Sequence, residues 1–453
     1  MSRRVQLRIP RHLWAPLWDA VRRPGTHEPV VFGLVSHGET SERTLVMVRD
    51  LIFPPPTAFA RAANHGAKWS GAYNIALLNE ALARGLGILI FHYHPGSGRL
   101  MASQDDEQSA RQLPPAFQMV ISGRPHGSVV LGETSTAGFI LLPDTHDFVD
   151  HFQLRFFSES VKTLPRLEAN AADFPHCRWP LVSDIGSRSL LRNTTIAVVG
   201  LSGGGSQVAG QLAAHGVGEI IGIDKQRITR DNILATDEFG WADVLLQRRK
   251  TAAVRSKVRR TNRSVRFTPV NALVPDRVTL DALKRADLIV GCVNNLNARA
   301  DLQEIAWRYC IPYVDIGLGL YPREADDAMS EIAAISGNVF SAVPGAPCLW
   351  CTGFLTDQKL QQEAGGANRS YLRGRRRIHR KQESEVYVAS FNGVLAGLAV
   401  SSVLQLILGY APMLPVRRQY DGLSGTVLEV EVKKNPTCPK CAAVLAAGDP
   451  LWG

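Results

Sequence analysis

The sequence predicts an α/β protein of two domains in series. A mixed α/β domain spans residues 1–150, a parallel-sheet domain spans 191–453, and 151–190 forms a linker or arm between them. Three observations carry that reading. Short apolar segments suited to strands recur near 30–35, 44–52, 87–92, 117–122 and 128–140, the pattern of a mixed sheet with intervening helices. The pattern lapses between 151 and 190, around Pro165, Pro175 and Pro180, as it does in a connector. From Thr195 a strand, a glycine turn, a helix and a second strand follow in that order, which makes one β-α-β unit.

In the first domain, Val30-Val31-Phe32-Gly33-Leu34-Val35 is a strand preceded by Glu28, and Gly87-Ile88-Leu89-Ile90-Phe91 is a strand that runs into His92-Tyr93-His94-Pro95. Side chains alternate across a strand, so His92 and His94 point the same way and their imidazoles can grip one metal ion. Pro95-Gly96-Ser97-Gly98 turns the chain, and Ser103-Gln104-Asp105-Asp106 opens a helix. A carboxylate there completes three ligands and leaves a fourth position for water, which is the layout of a catalytic rather than a structural zinc.

These residues resemble the JAB/MPN (JAMM) metalloprotease family, which carries His-x-His-Pro, then Ser-x-x-Asp, and a glutamate well upstream. The resemblance implies a zinc-dependent peptidase or isopeptidase that cuts after the C-terminus of a ubiquitin-like protein. It assigns His92 and His94 as zinc ligands. Spacing from the second histidine selects Asp105 as the third ligand, whereas the Ser-x-x-Asp relation selects Asp106, which is preferred because it keeps Ser103 one helical turn before the ligand. Ser103 would help to stabilise the oxyanion. The general base would be Glu28, with Glu39 as the alternative, shuttling a proton from zinc-bound water to the leaving amine.

In the second domain Thr195-Ile196-Ala197-Val198-Val199 is a buried strand, Gly200-Leu201-Ser202-Gly203-Gly204-Gly205-Ser206 the turn, and Gln207 to His215 a helix that stops at Gly216. Ile220-Ile221-Gly222-Ile223 closes on Asp224. Phosphates fit the helix N-terminus, and the carboxylate fits a ribose hydroxyl. A dinucleotide dehydrogenase would need a second binding half and a hydride-transfer residue, and neither is found.

From about residue 180 onward the chain resembles the ThiF/MoeB/ubiquitin-activating-enzyme family, which implies a Rossmann-like domain that binds ATP/Mg2+ and adenylates the C-terminal carboxylate of a ubiquitin-like protein, releasing diphosphate. Carried over residue by residue, Gly200, Gly203 and Gly205 form the phosphate turn, Asp224 binds the ribose, Asn232 meets the phosphates, and Lys250 neutralises charge at the α-phosphate, with Arg248 or Arg249 as substitutes. Arg299 follows the magnesium-binding segment. Cys348-Leu349-Trp350-Cys351 and Cys438-Pro439-Lys440-Cys441 form two Cys-x-x-Cys pairs. Together they give a closed, structural zinc site with four thiolates.

The chain departs from the ThiF pattern in three places. Ala235 replaces an arginine, Asn294 replaces the magnesium aspartate, and no cysteine lies between Cys351 and Phe391 where a thioester former often sits. Asparagine is a weaker ligand for a hard cation. Of the remaining cysteines, Cys292 and Cys310 read as buried structural thiols, and Cys177 is the one candidate for a mobile nucleophile. The expected protein is a two-module enzyme of a bacterial ubiquitin-like pathway, an expected homodimer, with a modifier tail and a conjugating-enzyme-like protein as partners. A role in antiphage defence follows from family association only. The alternatives are a ThiF-like pseudoenzyme scaffold beside an active peptidase, and an adenylyltransferase for a sulfur carrier or peptide.

Composition sets the remaining bounds. Hydrophobic residues make up 45% and charged residues 20% of the 453, an ordinary globular balance with length for two or three domains. No apolar run reaches the roughly 18 residues that cross a bilayer, and no hydrophobic segment backs the basic start, so a cytoplasmic protein without a membrane partner is expected. The net charge of +10 is scattered, except for Arg373-Gly374-Arg375-Arg376-Arg377-Ile378-His379-Arg380-Lys381. That run lacks interleaved aromatics and reads as an exposed loop rather than a nucleic-acid site.

Overall fold

A computed structural model describes residues 4–24, 28–59, 69–96, 100–143, 145, 148–158, 160–164, 185–322, 332–372, 388–411 and 417–450. The basic run at 373–381 and Cys177 lie outside the described residues. The chain forms two compact units. One comprises Met1–Glu168 with Trp307–Cys310 and Ala443–Gly453, the other Ala169–Ala306 with Ile311–Ala442.

In the first unit the elements run β1 (Arg4–Ile9), α1 (Arg11–Val21), β2 (Val31–Glu39), β3 (Arg43–Ile52), α2 (Gly71–Ala83), β4 (Gly87–Tyr93), α3 (Gln104–Val120), β5 (His126–Leu131), β6 (Thr136–Leu141), β7 (Phe148–Val149), β8 (Phe152–Phe157) and β9 (Val161–Leu164). Among the described residues they make one mixed sheet in the order β7-β6-β5-β4-β2-β3-β1-β8-β9. The sheet has a core on each face, because alternate residues of a strand point opposite ways. Leu89 and Phe91 of β4 join Leu13, Trp14 and Leu17 of α1. Ile88 and Ile90 join Leu77 and Ala81 of α2 and Phe117 of α3. The same alternation carries His92 to the α2/α3 face and leaves Tyr93 edge-on to Trp18 of α1.

Three expectations are corrected here. The apolar run at 117–122 ends helix α3 rather than forming a strand. The segment 128–140 is a hairpin of two strands. The stretch after 151 begins with β8, parallel to β1, and its antiparallel partner β9, so these residues belong to the sheet and not to a connector.

The second unit begins with α4 (Ile185–Arg192) and β10 (Thr195–Val199), followed by α5 (Gly203–Ala214), β11 (Glu219–Ile223), α6 (Arg230–Ala235), α7 (Trp241–Leu245), α8 (Lys250–Thr261), β12 (Arg266–Val270), α9 (Arg277–Arg285), β13 (Leu288–Gly291) and α10 (Leu296–Arg308). The chain continues through β14 (Tyr313–Pro322), β15 (Ile332–Ala342), α11 (Asp357–Leu372), α12 (Ala389–Leu408), β16 (Arg417–Asp421), β17 (Thr426–Val430) and α13 (Pro439–Val444). The strand order is β12-β11-β10-β13-β14-β15-β16-β17, parallel from β12 to β14 and antiparallel beyond. The order reverses between β10 and β13, which is where open α/β sheets bind ligands.

Helix α5 starts at Gly203, not Gln207, so the last three glycines lie in its first turn. Helix α12 corrects the membrane expectation. By length and composition it is apolar enough to cross a bilayer, although 56% of its apolar window is buried. It packs on α5, β14 and β15 and ends at Gly409 with φ of 64°, the left-handed cap that favours glycine.

Candidate functional sites

In the first unit, three segments distant in sequence bring titratable groups together. Strand pairing puts Val31 beside Phe91, which sets Glu28 near the end of β4 and places Glu39 at the far end of β2. His94 extends β4 by donating its backbone N–H to Leu131 O at 3.0 Å. Glu28 Oε1 then lies 3.9 Å from His92 Nε2 and 3.5 Å from His94 Nε2. Asp106 Oδ1 is 3.0 Å from His92 Nε2, and its Oδ2 is 3.7 Å from His94 Nε2. Glu39 instead accepts from Thr44 Oγ1 at 3.1 Å. Asp105 is exposed on α3, and the carboxylate facing the histidines is that of Asp106.

A capping box sets the position of Asp106. Ser103 Oγ accepts from Asp106 N at 3.1 Å, while Asp106 Oδ2 accepts from Ser103 N at 2.8 Å and from Ser103 Oγ at 2.7 Å. The box satisfies orphan amides of the helix start and fixes the carboxylate. The Ser103 hydroxyl proton is therefore given to Asp106, not presented to an incoming oxyanion. Burial raises the Asp106 carboxyl, but contact with His92 and the bonds from Ser103 outweigh it and hold the group well below the usual carboxylate range. His92 Nε2 is buried and makes no hydrogen bond, although a carboxylate oxygen stands at 3.0 Å. A buried imidazole nitrogen whose near neighbours are carboxylate oxygens fits a cation, and the ligand atoms of Glu28, His92 and His94 all lie within 4.8 Å of one another.

The second unit builds a loop at its switch point. Gly200 has φ of +86°, and a Cβ on Gly205 would sit 1.8 Å from Gly200 O, so the turn closes only with glycine there. A Cβ on Gly203 would fall 2.2 Å from the Asn392 Nδ2 side-chain end and 2.8 Å from the backbone Ala235 O. Asp224 ties the loop to the end of β11, accepting from Leu201 N at 2.9 Å and from Gln226 N at 2.7 Å. Asn232 donates to Ser202 Oγ at 3.3 Å and accepts from Thr229 N at 3.0 Å. Lys250 opens α8, is buried, and donates from Nζ to Gln226 Oε1 at 2.6 Å. Gly200, Gly203, Gly205, Asp224, Asn232 and Lys250 are thus linked through the loop and its two flanking segments.

Residues 175–440 match the ThiF family. The chain belongs to the ThiF family. Among its relatives, the molybdopterin-synthase adenylyltransferase of Escherichia coli K12 is 23% identical over 261 residues, 57% of this chain and 91% of that protein. The SAMP-activating enzyme E1 of Haloferax volcanii is 24% identical over 273 residues, 59% of this chain and 87% of that protein. Among solved structures, E. coli MccB in complex with MccA-N7isoASN is 22% identical, covering 56% of this chain and 69% of that one at a TM-score of 0.44. Residues 1–174 lie outside the ThiF match.

Around this ThiF loop the arginines are already engaged. Arg299 is buried, ion-paired with Asp315 and donating to Ile316 O at 3.0 Å, with Phe354 5.4 Å away. Arg248 binds Asp243 at 3.1 Å and Ser256, and Arg249 donates to Lys225 O at 3.4 Å. Ala235 is fully buried, and its carbonyl accepts from Asn392 Nδ2 at 3.0 Å. Asn294 is exposed just ahead of α10. Burial, then the nearby Asp315, push the Cys292 thiol up, and burial pushes Cys310 up to about 12. Neither is a ready nucleophile.

Among the described residues of the ThiF unit, the four other cysteines converge. Cys348 Sγ lies 3.7 Å from Cys351, 3.8 Å from Cys438 and 3.1 Å from Cys441, and Cys351 lies 3.6 Å from Cys441. Four sulfurs on a tetrahedral zinc at ~2.3 Å would stand ~3.8 Å apart, so the set fits a structural zinc. The hydrogen bond from Cys441 to Cys348, together with burial, pushes the Cys441 thiol far up, while that same bond lowers Cys348. Without a cation the cluster resists further deprotonation.

Sequence reasoning missed Gln226, which holds Lys250, and Asp315, which holds Arg299. It also missed Glu363 of α11, whose carboxylate accepts from Leu296 N at 2.8 Å and from Asn297 N at 3.0 Å at the start of α10. Each pairs residues at least 16 apart in sequence, beyond the reach of local patterning.

Proposed function

We propose that the ThiF unit is an ATP-dependent adenylyltransferase for the carboxyl terminus of a ubiquitin-like or sulfur-carrier protein, and that the first unit is a zinc (iso)peptidase acting on the same kind of tail. The observation that carries the first half is the ThiF match over 175–440, joined to a glycine loop bound to Asp224 and Asn232 with Lys250 beside it. The relatives named as a molybdopterin-synthase adenylyltransferase and a SAMP-activating enzyme support this substrate class. ATP with Mg2+ would supply the adenylyl group, with diphosphate leaving as the acyl-adenylate forms. The loop amides and Lys250 stabilise charge as the tail carboxylate attacks the α-phosphate. Arg299, bound by Asp315, acts as a positioning residue. ATP–diphosphate exchange with a cognate small protein tests this, and its absence from zinc-loaded protein would refute it.

The observation behind the second half is the convergence of Glu28, His92, His94 and Asp106. A zinc ion held there would acidify a bound water and polarise the scissile carbonyl. His92, His94 and Asp106 would hold it, Glu28 would carry the proton to the leaving amine, and Ser103 would keep Asp106 in place. Cleavage of a modifier fusion, chelator-sensitive and restored by zinc, is the test. Homodimerisation, a conjugating-enzyme-like partner and a cytoplasmic setting belong to the same proposal. A second reading, in which the ThiF unit is a scaffold without turnover, is favoured by the buried Ala235 and by Asn294, which lacks the charge a hard cation prefers. Exchange activity separates the two.

A further inference from the structure

Helix α8 and the edge strand β12 enclose an open cavity of 340 Å3 whose lining is strongly basic. Arg248, Arg249, Arg255 and Arg259 line it, with Thr251, Ser256 and Asn271 as neutral polar groups and no carboxylate in the wall. Ala252, Arg255 and Arg259 fall on one stripe of α8 at 3.6 residues per turn, and Arg248 and Arg249 lie in the segment that leads into the helix.

The four guanidinium groups divide into two kinds. Arg248 and Arg249 are held by Asp243, Ser256 and Lys225 O. Arg255 and Arg259 are exposed and, among the described residues, make no hydrogen bond or ion pair. The two uncompensated guanidiniums stand about one helical turn apart on one wall and can share an anion. Thr251 donates its hydroxyl to Asn271 Oδ1 at 2.6 Å, which leaves the Asn271 amide as a donor.

We propose that this cavity is a binding site for an oxyanion of the diphosphate or triphosphate class. Planar guanidiniums pair bidentately with phosphate oxygens, and a low wall with one sign of charge concentrates multivalent anions. The cavity is too small for a nucleic-acid duplex. It begins one residue from Lys250 on the same helix, so under the adenylation reading it would receive released diphosphate. The binding itself does not depend on that reading and is measured without turnover.

The test is calorimetric titration of the full chain with inorganic diphosphate at about 150 mM salt, where long-range charge effects are screened. Saturable binding is expected, weakened about tenfold or more in the double variant Arg255→Glu, Arg259→Glu, the loss of one charge-assisted contact or more. A non-hydrolysable ATP analogue should bind that variant as it binds the wild type. Gly205→Ala should lose binding of the analogue at the glycine loop and keep diphosphate binding at the cavity. If ATP displaces diphosphate from Gly205→Ala, the site takes nucleotide polyphosphate tails as well; if it does not, the site takes free diphosphate. Unchanged diphosphate affinity in the double variant would overturn the proposal. So would displacement by orthophosphate, sulfate or an acidic peptide at the same concentration as diphosphate. Failed diphosphate exchange together with intact diphosphate binding would remove the adenylation reading and leave this one standing.

Discussion

Two buried histidines on neighbouring strands of one sheet behave as opposites. His126 on β5 is fully buried, accepts from Ile88 N at 3.2 Å through Nδ1 and donates from Nε2 to Ile121 O at 3.0 Å. His92 on β4 is 4% exposed, yet its Nε2 has no hydrogen bond and faces Asp106 and Glu28. Burial alone says little about a histidine's role. What separates the two is what each ring nitrogen meets: backbone groups satisfy both nitrogens of His126, whereas His92 Nε2 meets carboxylates that a cation could share. His126 closes its own network, whereas His92 is left open toward a point that other ligand atoms also face.

The largest expected effect comes from removing the open nitrogen. Under the proposed peptidase function, His92→Ala should abolish cleavage of a modifier fusion, a fall on the order of 10⁴-fold, and should lower zinc binding at the first unit without changing zinc binding at the cysteines. Metal analysis beside the cleavage assay checks both, and undiminished cleavage would end the metal reading of this site. Glu28→Gln should cost about 10²- to 10⁴-fold in turnover, the range of a general base, while metal content stays unchanged. Loss of metal in Glu28→Gln would make Glu28 a ligand instead.

The contrast between the two histidines was partly legible in the sequence. The apolar run before His92 and the alternation of strand side chains were enough to place His92 and His94 on one face. The third carboxylate was not fixed, because Asp105 and Asp106 differ by one helical position and the choice is made by the capping box around Ser103. Helix α3 was hidden by Pro114 and Pro115, which ordinarily end helices, so that its last turn, Phe117 to Val120, read as a strand. The fold around β10 was the easier case, since strand, glycine turn, helix and acid are all local signals. The docking of the C-terminal residues in the first unit, where Ser36 Oγ donates to Ala446 O at 2.5 Å and Glu39 N to Asp449 at 2.8 Å, has no local signal and could come only from the folded chain. The clustering of four thiols was legible from spacing, but the ion pair that occupies Arg299 was not.

His126 supplies a pH test of the closed case. Burial lowers its pKa to about 4, against 6.5 for the unfolded group, and the bond to Ile121 offsets this only in part. Protonation would also set an N–H against the N–H of Ile88. Below pH 6.5 the unfolded chain binds a proton that the folded chain refuses, so stability falls as pH drops from 6.5 to 4 and levels off beyond. The expected loss is ~3 kcal/mol, read by denaturant melts of the wild type against His126→Gln, whose profile should be flatter over that window. An equal slope in both proteins would show that His126 does not carry the linkage.

The smallest effect is the most discriminating. Asp105 and Asp106 are adjacent acids at the start of the same helix, and only Asp106 faces the histidines. Asp105→Asn removes one exposed negative charge near the positive end of the helix dipole, a change of about 0.3–1 kcal/mol in stability. It should leave cleavage and zinc content within about twofold of wild type, since the exposed carboxylate makes no contact with the ligand set. Asp106→Asn should behave like His92→Ala, because it removes both a ligand oxygen and half of the capping box. If Asp105→Asn abolished zinc binding and Asp106→Asn spared it, the register of α3 would be shifted by one residue in the metal-bound protein, and the capping box with Ser103 would have to open for zinc to bind.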